Sequence, residues 1–423
     1  MKKIRLGEYI EELVDIGSNG SDEQISKNLN MKDTPDYAYM IRTVNLNNNN
    51  FKTNLKYITK ESYEYFKKSK MFGGEIIINK IGCPGTVGLM PYLDKPISLG
   101  LNQYAIRFKE VINQKFMYYK LKSIEPYLKS IAHGTTTKTI TKEEIKNIEL
   151  DIPDRNTQNK IEYILTAIDN KIKINLDINN NLEEMMKLLY QRYFLEFNFP
   201  NEDGKPYKLY GGKMAWNQKL KREIPVNWED VKVKDLCDVI SGYPFSKDTY
   251  SKEGKYKLIT IKNVQDDGIN LTTDNNINDI PDNLPSYCML KPINILMSLT
   301  GNVGRVGIMY ANNCLLNQRV AILKEKSNKQ IPFIYSFFKN EHTKKLLENM
   351  STGTSQLNLS PIETEKLSIA FNNDIINKYG EITYPYILKI EMLLEENQNL
   401  IELRDYLLPM LMNGQISVDD VEI

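Results

Sequence analysis

The sequence predicts an α+β chain built as a tandem repeat, in which two similar mixed domains are each followed by one long helix. Three observations carry this. Short motifs recur about 215 to 219 positions apart. Each copy opens with short β-branched runs bounded by Gly, Pro and Asn, with helical stretches between them. Each copy then changes to a three-four apolar spacing over some 40 residues.

In chain order, residues 1–152 form the first domain. Its strand signal is Glu75-Ile76-Ile77-Ile78, and Met40-Ile41-Arg42-Thr43-Val44-Asn45-Leu46 lines up with Leu258-Ile259-Thr260-Ile261-Lys262-Asn263-Val264. Gly85-Thr86-Val87-Gly88 aligns with Gly301-Asn302-Val303-Gly304, Asn102-Gln103 with Asn317-Gln318, and Gly134-Thr135-Thr136 with Gly353-Thr354-Ser355. Residues 153–197 form the first long helix, with apolar positions Ile161, Leu165, Ile168, Ile172, Leu182, Met186 and Leu189 and no Gly or Pro from Gln158 to Phe197. A segment of ~40 residues spans ~60 Å as one helix, too long for a small domain to bury alone.

The linker, residues 198–224, contains Pro200, Gly204, Pro206, Gly211 and Gly212 and reverses the chain. The second domain, residues 225–371, has Trp228 as a core anchor, a strand at Ile293 to Met297 and a helix from Pro332 to Met350. Residues 372–412 form the second long helix, with Tyr379, Ile382, Tyr386, Ile390, Leu393, Leu400, Leu403 and Leu407 on its stripe. Pro385 kinks this helix or marks its start, Gly414 caps it, and residues 413–423 are a tail. The two long helices bury their stripes most simply against each other, as an antiparallel coiled coil with pseudo-twofold symmetry; packing of each helix on its own domain is the alternative.

Composition narrows the function. Hydrophobic residues at 41% and charged residues at 26% exclude a disordered chain. With 55 Lys plus Arg against 54 Asp plus Glu, no global field draws a polyanion, so any such partner is met locally. Met1 to Gly20 lacks the apolar stretch of a signal peptide, and nothing approaches the ~18 apolar residues of a membrane span. Cys83, Cys237, Cys288 and Cys314 stand singly, as expected in a reducing cytoplasm. Only His133 and His342 are present, far apart, which argues against a metal site or histidine-based catalysis.

Catalytic motifs are absent. The glycines from Gly82 to Gly88 and from Gly301 to Gly307 lack the lysine of a phosphate loop and read as tight turns. Asp248 with Glu253-Gly254-Lys255 only faintly imitates a nuclease's acids and lysine. No Asn-Pro-Pro-aromatic stretch for holding a flipped base occurs. No catalytic residue, bound cofactor or metal is therefore expected.

Polar loops stand out instead. His133-Gly134-Thr135-Thr136-Thr137-Lys138 and Thr352-Gly353-Thr354-Ser355-Gln356-Leu357-Asn358 collect hydroxyls, amides and backbone donors of the kind that meet phosphate oxygens or base edges. A solvated Ser/Thr loop is the plain alternative, and its presence in both copies favours function. The candidate DNA contacts of the first copy are Arg42, Asn45, Lys80, Thr86, Asn102, Gln103, His133, Thr135, Thr136 and Lys138. Those of the second are Ser241, Tyr243, Ser246, Lys262, Asn263, Thr300, Asn302, Arg305, Gln318, Arg319, Thr352, Thr354, Ser355, Gln356 and Asn358. Taken singly, Arg42, Asn45, Asn102, Gln103, Lys262, Asn263, Gln318 and Arg319 are each better explained as hydrogen-bonded structural residues.

Other residues carry a family likeness. These are Ile168-Asp169-Asn170-Lys171-Ile172, Asn181-Leu182-Glu183-Glu184-Met185 with Tyr190 and Phe194, Phe199-Pro200-Asn201 with Gly211-Gly212, and Ile224-Pro225-Val226-Asn227-Trp228. They are joined by Ser241-Gly242-Tyr243-Pro244-Phe245-Ser246, Glu396-Asn397-Gln398-Asn399-Leu400, Leu403-Arg404-Asp405-Tyr406-Leu407-Leu408-Pro409 and Asn413-Gly414. Over its whole length the chain resembles the specificity subunit of a type I restriction-modification enzyme. The first domain departs from the pattern, starting at Met1 without the Pro-x-x-Trp opening of the second.

The resemblance implies two target-recognition domains on a non-catalytic subunit that reads an asymmetric, bipartite site in double-stranded DNA. It also implies two modification subunits that methylate adenine at N6 with S-adenosylmethionine; the family admits a restriction subunit, using ATP and Mg, as an optional further partner. Two alternatives are a DNA-processing enzyme with a degenerate site and a coiled-coil scaffold that does not touch DNA. Charge agrees with a division of roles. Lys plus Arg number 23 against 18 acids in residues 1–152, 17 against 16 in residues 225–371, and 3 against 10 in residues 372–423. The acidic end is repelled by phosphate and is expected to face protein.

Overall fold

Two four-stranded antiparallel sheets of the same order carry the two copies. In the first copy the strands are β1 (Ile10–Val14), β2 (Ile76–Asn79), β3 (Val87–Leu89) and β4 (Gln103–Phe108), in the order β1-β4-β2-β3. In the second they are β5 (Cys237–Ser241), β6 (Ile295–Ser298), β7 (Val306–Ile308) and β8 (Val320–Glu325), in the order β5-β8-β6-β7. The β-branched runs seen in the sequence are the central strands, buried on both faces. Alternation sends Ile76 and Ile78 into one core with Phe116, and Ile77 into another with Leu99 and Met71. Ile295 and Met297 likewise part from Leu296. In each copy a second sheet, of five short strands in the first and four in the second, holds a parallel pair, Ala38–Ile41 with Ile97–Leu99 and Tyr256–Ile259 with Cys314–Leu316.

The structure describes every residue except Lys52, Thr273, Asp274, Thr354, Ser355, Glu422 and Ile423, and is a computed structural model. Two units are formed, Met1–Lys171 with Leu400–Ile423, and Ile172–Asn399. Each holds one copy and a part of both long helices. The first domain lacks the Pro-x-x-Trp opening yet keeps its opening strand. Lys2–Arg5 pairs with Glu149–Ile152 just as Glu229–Lys232 pairs with Ser368–Phe371.

Backbone pairing corrects the repeat register at two places. Gly85 N–H donates to the Asn79 carbonyl and Gly304 N–H to the Ser298 carbonyl, both at 2.9 Å, so Gly85 is equivalent to Gly304 and not to Gly301. Glycine recurs every third residue in both turns, and a slip of one period leaves the pattern intact. Lys80 N–H donates to the Asn102 carbonyl at 2.8 Å and Leu299 N–H to the Arg319 carbonyl at 3.0 Å. Asn102 therefore corresponds to Arg319, and Gln103 to the strand residue Val320; the shared Asn-Gln dipeptide is coincidental.

The long helices are α1 (Arg155–Tyr190), which passes into a π-turn at Gln191–Leu195, and α2 (Asn373–Met412). In the second unit they run antiparallel: Asn175 bonds Asn397, and farther along the Tyr379 hydroxyl donates to the Met186 carbonyl at 3.2 Å. In the first unit Ile161 and Leu165 share a core with Leu411 and Met412, and Arg404 pairs with Asp169 at 3.0 Å. α2 starts at Asn373 and continues through Pro385, so that proline neither begins nor breaks it. Gly414, at φ +70°, closes the helix end as expected: its N–H meets the Leu411 carbonyl while Gln415 N–H meets Met410.

The apolar stripes differ from expectation in their middles. On α1 the buried positions between Leu165 and Met186 are Asn175 and Asn179, and on α2 Ile382 and Leu403 face outward while Thr383, Ile387 and Asn397 are buried. Pro332 to Met350 is two helices, Ile331–Lys339 and Glu341–Met350, because the Asn340 side chain accepts from His342 N–H and starts a new one. The linker is not all loop; Met214–Asn217 and Arg222–Pro225 form a hairpin. Trp228 is the core anchor expected, stacked on Phe199 at 5.4 Å and edge-on to Phe197 at 5.1 Å. Among the described residues no helix is long and apolar enough to cross a membrane.

Candidate nucleic-acid interface

In both copies three segments meet at one end of the main sheet: the turn after the central strand, the residue preceding the neighbouring strand, and a short hairpin. In the first copy the hairpin is closed by paired backbone bonds between His133 and Thr139 at 3.0 and 2.8 Å. It is tied to the turn by Ile140 N–H on the Lys80 carbonyl at 3.2 Å. In the second copy Thr352 and Asn358 pair at 2.9 and 2.8 Å, and Leu359 N–H meets Leu299 O at 2.8 Å. Gly134 and Gly353 take φ +128° and +106°, and a Cβ on either would lie 2.3 Å from a carbonyl oxygen, that of Thr137 or Gln356. Only glycine permits this turn, which explains why both copies keep it.

Five sequence candidates converge in the second copy. Ser241, Thr300, Gln318, Arg319 and Asn358, with Leu299, Leu359 and Pro361, line a shallow cleft of about 280 Å³. Thr300 donates to Asn358 Oδ1 at 3.0 Å, and Arg319 Nη1 lies 3.5 Å from the Thr300 hydroxyl. Gln318 and Arg319 are exposed at its rim, and Gln356 approaches from the hairpin beside Gly301. A guanidinium, two amides and hydroxyls in one recess are suited to base edges and phosphate oxygens. Thr352 and Asn302 are exposed nearby on the same segments. Thr354 and Ser355 lie outside the described residues.

In the first copy Thr135, Thr136 and Lys138 are exposed on the hairpin, with Asn102 and half-buried Lys80 and Thr86 on the adjoining segments. His133 Nδ1 lies 2.9 Å from Glu144. Burial raises the Glu144 carboxyl, but bonds from Thr141 and the nearby His133 outweigh it, and the net effect lies below the usual range.

Several candidates prove structural. Asn45 and Asn263 are buried; each carboxamide oxygen accepts from a backbone N–H, of Arg42 at 3.1 Å and Thr260 at 2.9 Å, and each Nδ2 holds a carbonyl, of Asn50 and Asn270. Their match across the repeat reflects a shared turn, with nothing left for a base. Gln103 is fully buried in β4 and donates to Asn79. Arg42 is held by the Asn54 carbonyl, and Arg305 by Asp266, which Lys344 also engages. Tyr243 bonds Asn283 at 2.8 Å, while Ser246 and Lys262 are exposed on segments apart from the cleft lining.

Sequence reasoning missed Asp15 and Lys142. Lys142 Nζ donates to Asp15 at 2.7 Å and Lys80 Nζ lies 3.6 Å from the same carboxylate. A signal existed for Lys142 only: Thr141-x-x-Glu144 and Ser360-x-x-Glu363 are helix starts at the same offset, which makes Lys142 the counterpart of Pro361. Among the described residues no cluster of His, Cys, Asp and Glu is placed to hold a metal ion.

Two homologous α+β copies, each presenting a polar turn and hairpin at one sheet end and each leading into a long helix, define a duplicated recognition module. A model of the type I restriction modification DNA specificity domain matches residues 9–184 and again 225–373, so the chain belongs to that family. Specificity subunits are the non-catalytic, DNA-recognition members of type I restriction-modification systems.

The chain is 24% identical over 344 residues to the type I restriction enzyme MjaIX specificity subunit of Methanocaldococcus jannaschii, covering 79% of this chain and 76% of the relative. It is 25% identical over 365 residues to the HindI specificity subunit of Haemophilus influenzae, covering 72% and 78%. In fold it is similar to the S subunit of a type I system from M. genitalium, with a TM-score of 0.58 at 17% identity over 97% of this chain and 95% of that one.

Proposed function

We propose that this chain reads a bipartite, asymmetric site in double-stranded DNA, one half with each copy. It holds two modification subunits that methylate adenine at N6 in the cytoplasm. S-adenosylmethionine binds those subunits, and ATP with Mg binds a restriction subunit where one joins; this chain supplies neither catalysis nor a cofactor site.

The observation that carries the reading is the second-copy cleft, where Thr300, Gln318, Arg319 and Asn358 from three separate segments converge. The same backbone frame in the first copy carries different side chains, Asn102 where the second has Arg319 and His133 where it has Thr352. One frame with two side-chain sets suits two different half-sites. Exchanging residues 225–371 for the matching segment of a relative, with methylome sequencing of the host, tests it. One half of the methylated motif changes; a change in both halves, or in neither, overturns the reading.

A further inference from the structure

The equivalences above place the second-copy cleft against a different object in the first copy. Leu299, Pro361 and Arg319, which line the cleft, correspond to Lys80, Lys142 and Asn102. Val239, Ile240 and Ser241 pair with β8 as β1 pairs with β4, and the chain then leaves β1 into Asp15. Where the second copy is open and uncharged apart from Arg319, the first is filled by two lysines around one carboxylate.

That cluster is built. Asp15 is buried, and one of its oxygens takes both Lys142 at 2.7 Å and the Ser18 hydroxyl at 2.9 Å, the other lying 3.6 Å from Lys80. Both ammoniums lie above the buried Tyr104 ring, at 5.7 and 5.8 Å from its centroid, and the Tyr104 hydroxyl is fixed on the Ile140 carbonyl at 3.2 Å. The backbone of Lys80 is pinned on both sides, to Asn102 and to Ile140. Position 321 of the second copy, opposite Tyr104, is Ala321, so that copy has no ring there.

Two ammoniums face one carboxylate, and the lysine side chains keep 35% and 32% of their surface against 11% for Asp15. Glu144, the other acid acting on Tyr104, bonds Thr141 and His133 and leaves both lysines to Asp15. A partly exposed pair of cations sharing one carboxylate, pre-positioned beside the hairpin that carries Lys138, has the geometry of an anion site.

We propose that Lys80 and Lys142, positioned by Asp15, hold a DNA backbone phosphate in the first copy, and that the second copy has no counterpart of this site. The two copies then divide the work unequally. The first anchors the duplex by charge, while the second admits a base edge to its cleft. This rests on the DNA reading above, since the ligand is a phosphate of the duplex that reading requires.

The test uses the assembled methyltransferase and a duplex carrying the methylated motif, with affinity measured by fluorescence anisotropy from 50 to 200 mM salt. Each phosphate neutralised contributes a slope of about 0.9 in log affinity against log salt, so across this range the wild type loses about 3.5-fold more affinity than Lys80→Gln/Lys142→Gln. The methylated motif is unchanged, because a phosphate contact carries no sequence information. Lys80→Arg/Lys142→Arg restores the wild-type slope, which a packing role would not require. Should the double glutamine variant lose its cooperative melting, Lys80→Gln alone carries the test, since Lys80 makes no hydrogen bond to Asp15. A folded variant with the wild-type slope overturns the phosphate site and leaves the DNA reading standing. A wild-type complex that does not prefer its motif overturns the DNA reading itself.

Discussion

Asn175 donates a 2.9 Å hydrogen bond from Nδ2 to Oδ1 of Asn397, joining the two long helices through a pair of buried amides. Asn175 Nδ2 also reaches Glu396 at 2.8 Å, and Asn397 Nδ2 reaches the Ile172 carbonyl at 3.3 Å. An amide in such a seam costs stability and returns register, because only one alignment pairs it. Asn175→Leu strands Oδ1 of Asn397 and is expected to cost about 1–3 kcal/mol. Asn175→Leu/Asn397→Leu recovers that loss but broadens the distance distribution between spin labels at Met185 and Met392, in a chain with Cys83 replaced. A double variant with a distribution as narrow as the wild type would show that register is set elsewhere.

The same asparagines mark where the sequence was legible and where it was not. The repeat, the β-branched central strands and the helix end at Gly414 follow from local chemistry, because apolar runs and a C-terminal glycine act through their own backbone. The helix seam was drawn through Ile168, Ile172 and Ile382, since pattern reading counts amides as outward-facing. Burial depends on the facing helix, which no local spacing reveals. Of the candidate site, the hairpins were recognisable from the repeat, whereas Gln318 and Arg319 were reached through an Asn-Gln match that is coincidental. Asn45 and Asn263 were misread from the repeat as well, because a turn needs a matched amide in both copies as much as a ligand does. Asp15 lies more than 120 positions from Lys142, and their pairing is a product of tertiary structure alone.

The hairpin glycines make a paired prediction. Gly134→Ala and Gly353→Ala each force a methyl group to within 2.3 Å of a carbonyl oxygen at a φ that alanine rarely adopts. Each hairpin must shift, while the cores beneath have no part in the clash. Methylation of hosts carrying each variant is expected to fall with little change in the melting temperature of the chain. Gly134→Ala should relax only the half-motif read by the first copy, and Gly353→Ala only the other. Relaxation of both by one variant counts against separate reading.

Glu125 supplies a pH dependence. Burial raises its carboxyl, but Lys122 and Lys129, each at 2.6 Å, and the Val87 N–H at 3.2 Å outweigh this, and the net effect lies below the ordinary glutamate range. A depressed value in the folded state means that the stabilisation is fully present above the unfolded value of about 4.3 and is lost as pH falls through the folded value. Urea unfolding of the full chain is therefore expected to show a wild-type advantage over Glu125→Gln at pH 7 that shrinks below pH 4. A difference independent of pH between 7 and 3 would assign Glu125 to packing alone.

The last prediction concerns the outward faces of the long helices. Met185 and Leu188 on α1, and Leu388 and Met392 on α2, expose 46%, 55%, 41% and 45% of their surface, although all four lie on helices that already bury another face. Spacings of three and four residues set each pair on one side of its helix, and apolar residues so grouped suit a contact surface. The segment bearing the second pair is acidic, with 3 Lys plus Arg against 10 acids in residues 372–423, which makes DNA an unfavourable occupant and protein the suitable one. Under the proposed function that protein is a modification subunit. Leu388→Glu/Met392→Glu should leave the melting temperature within a degree or two of wild type, since neither side chain is in a core. Co-purification of modification subunits should fall sharply, and with it methylation of both half-motifs together. Undiminished assembly, measured by light scattering of the co-expressed complex, would move the docking surface off this face of the helices.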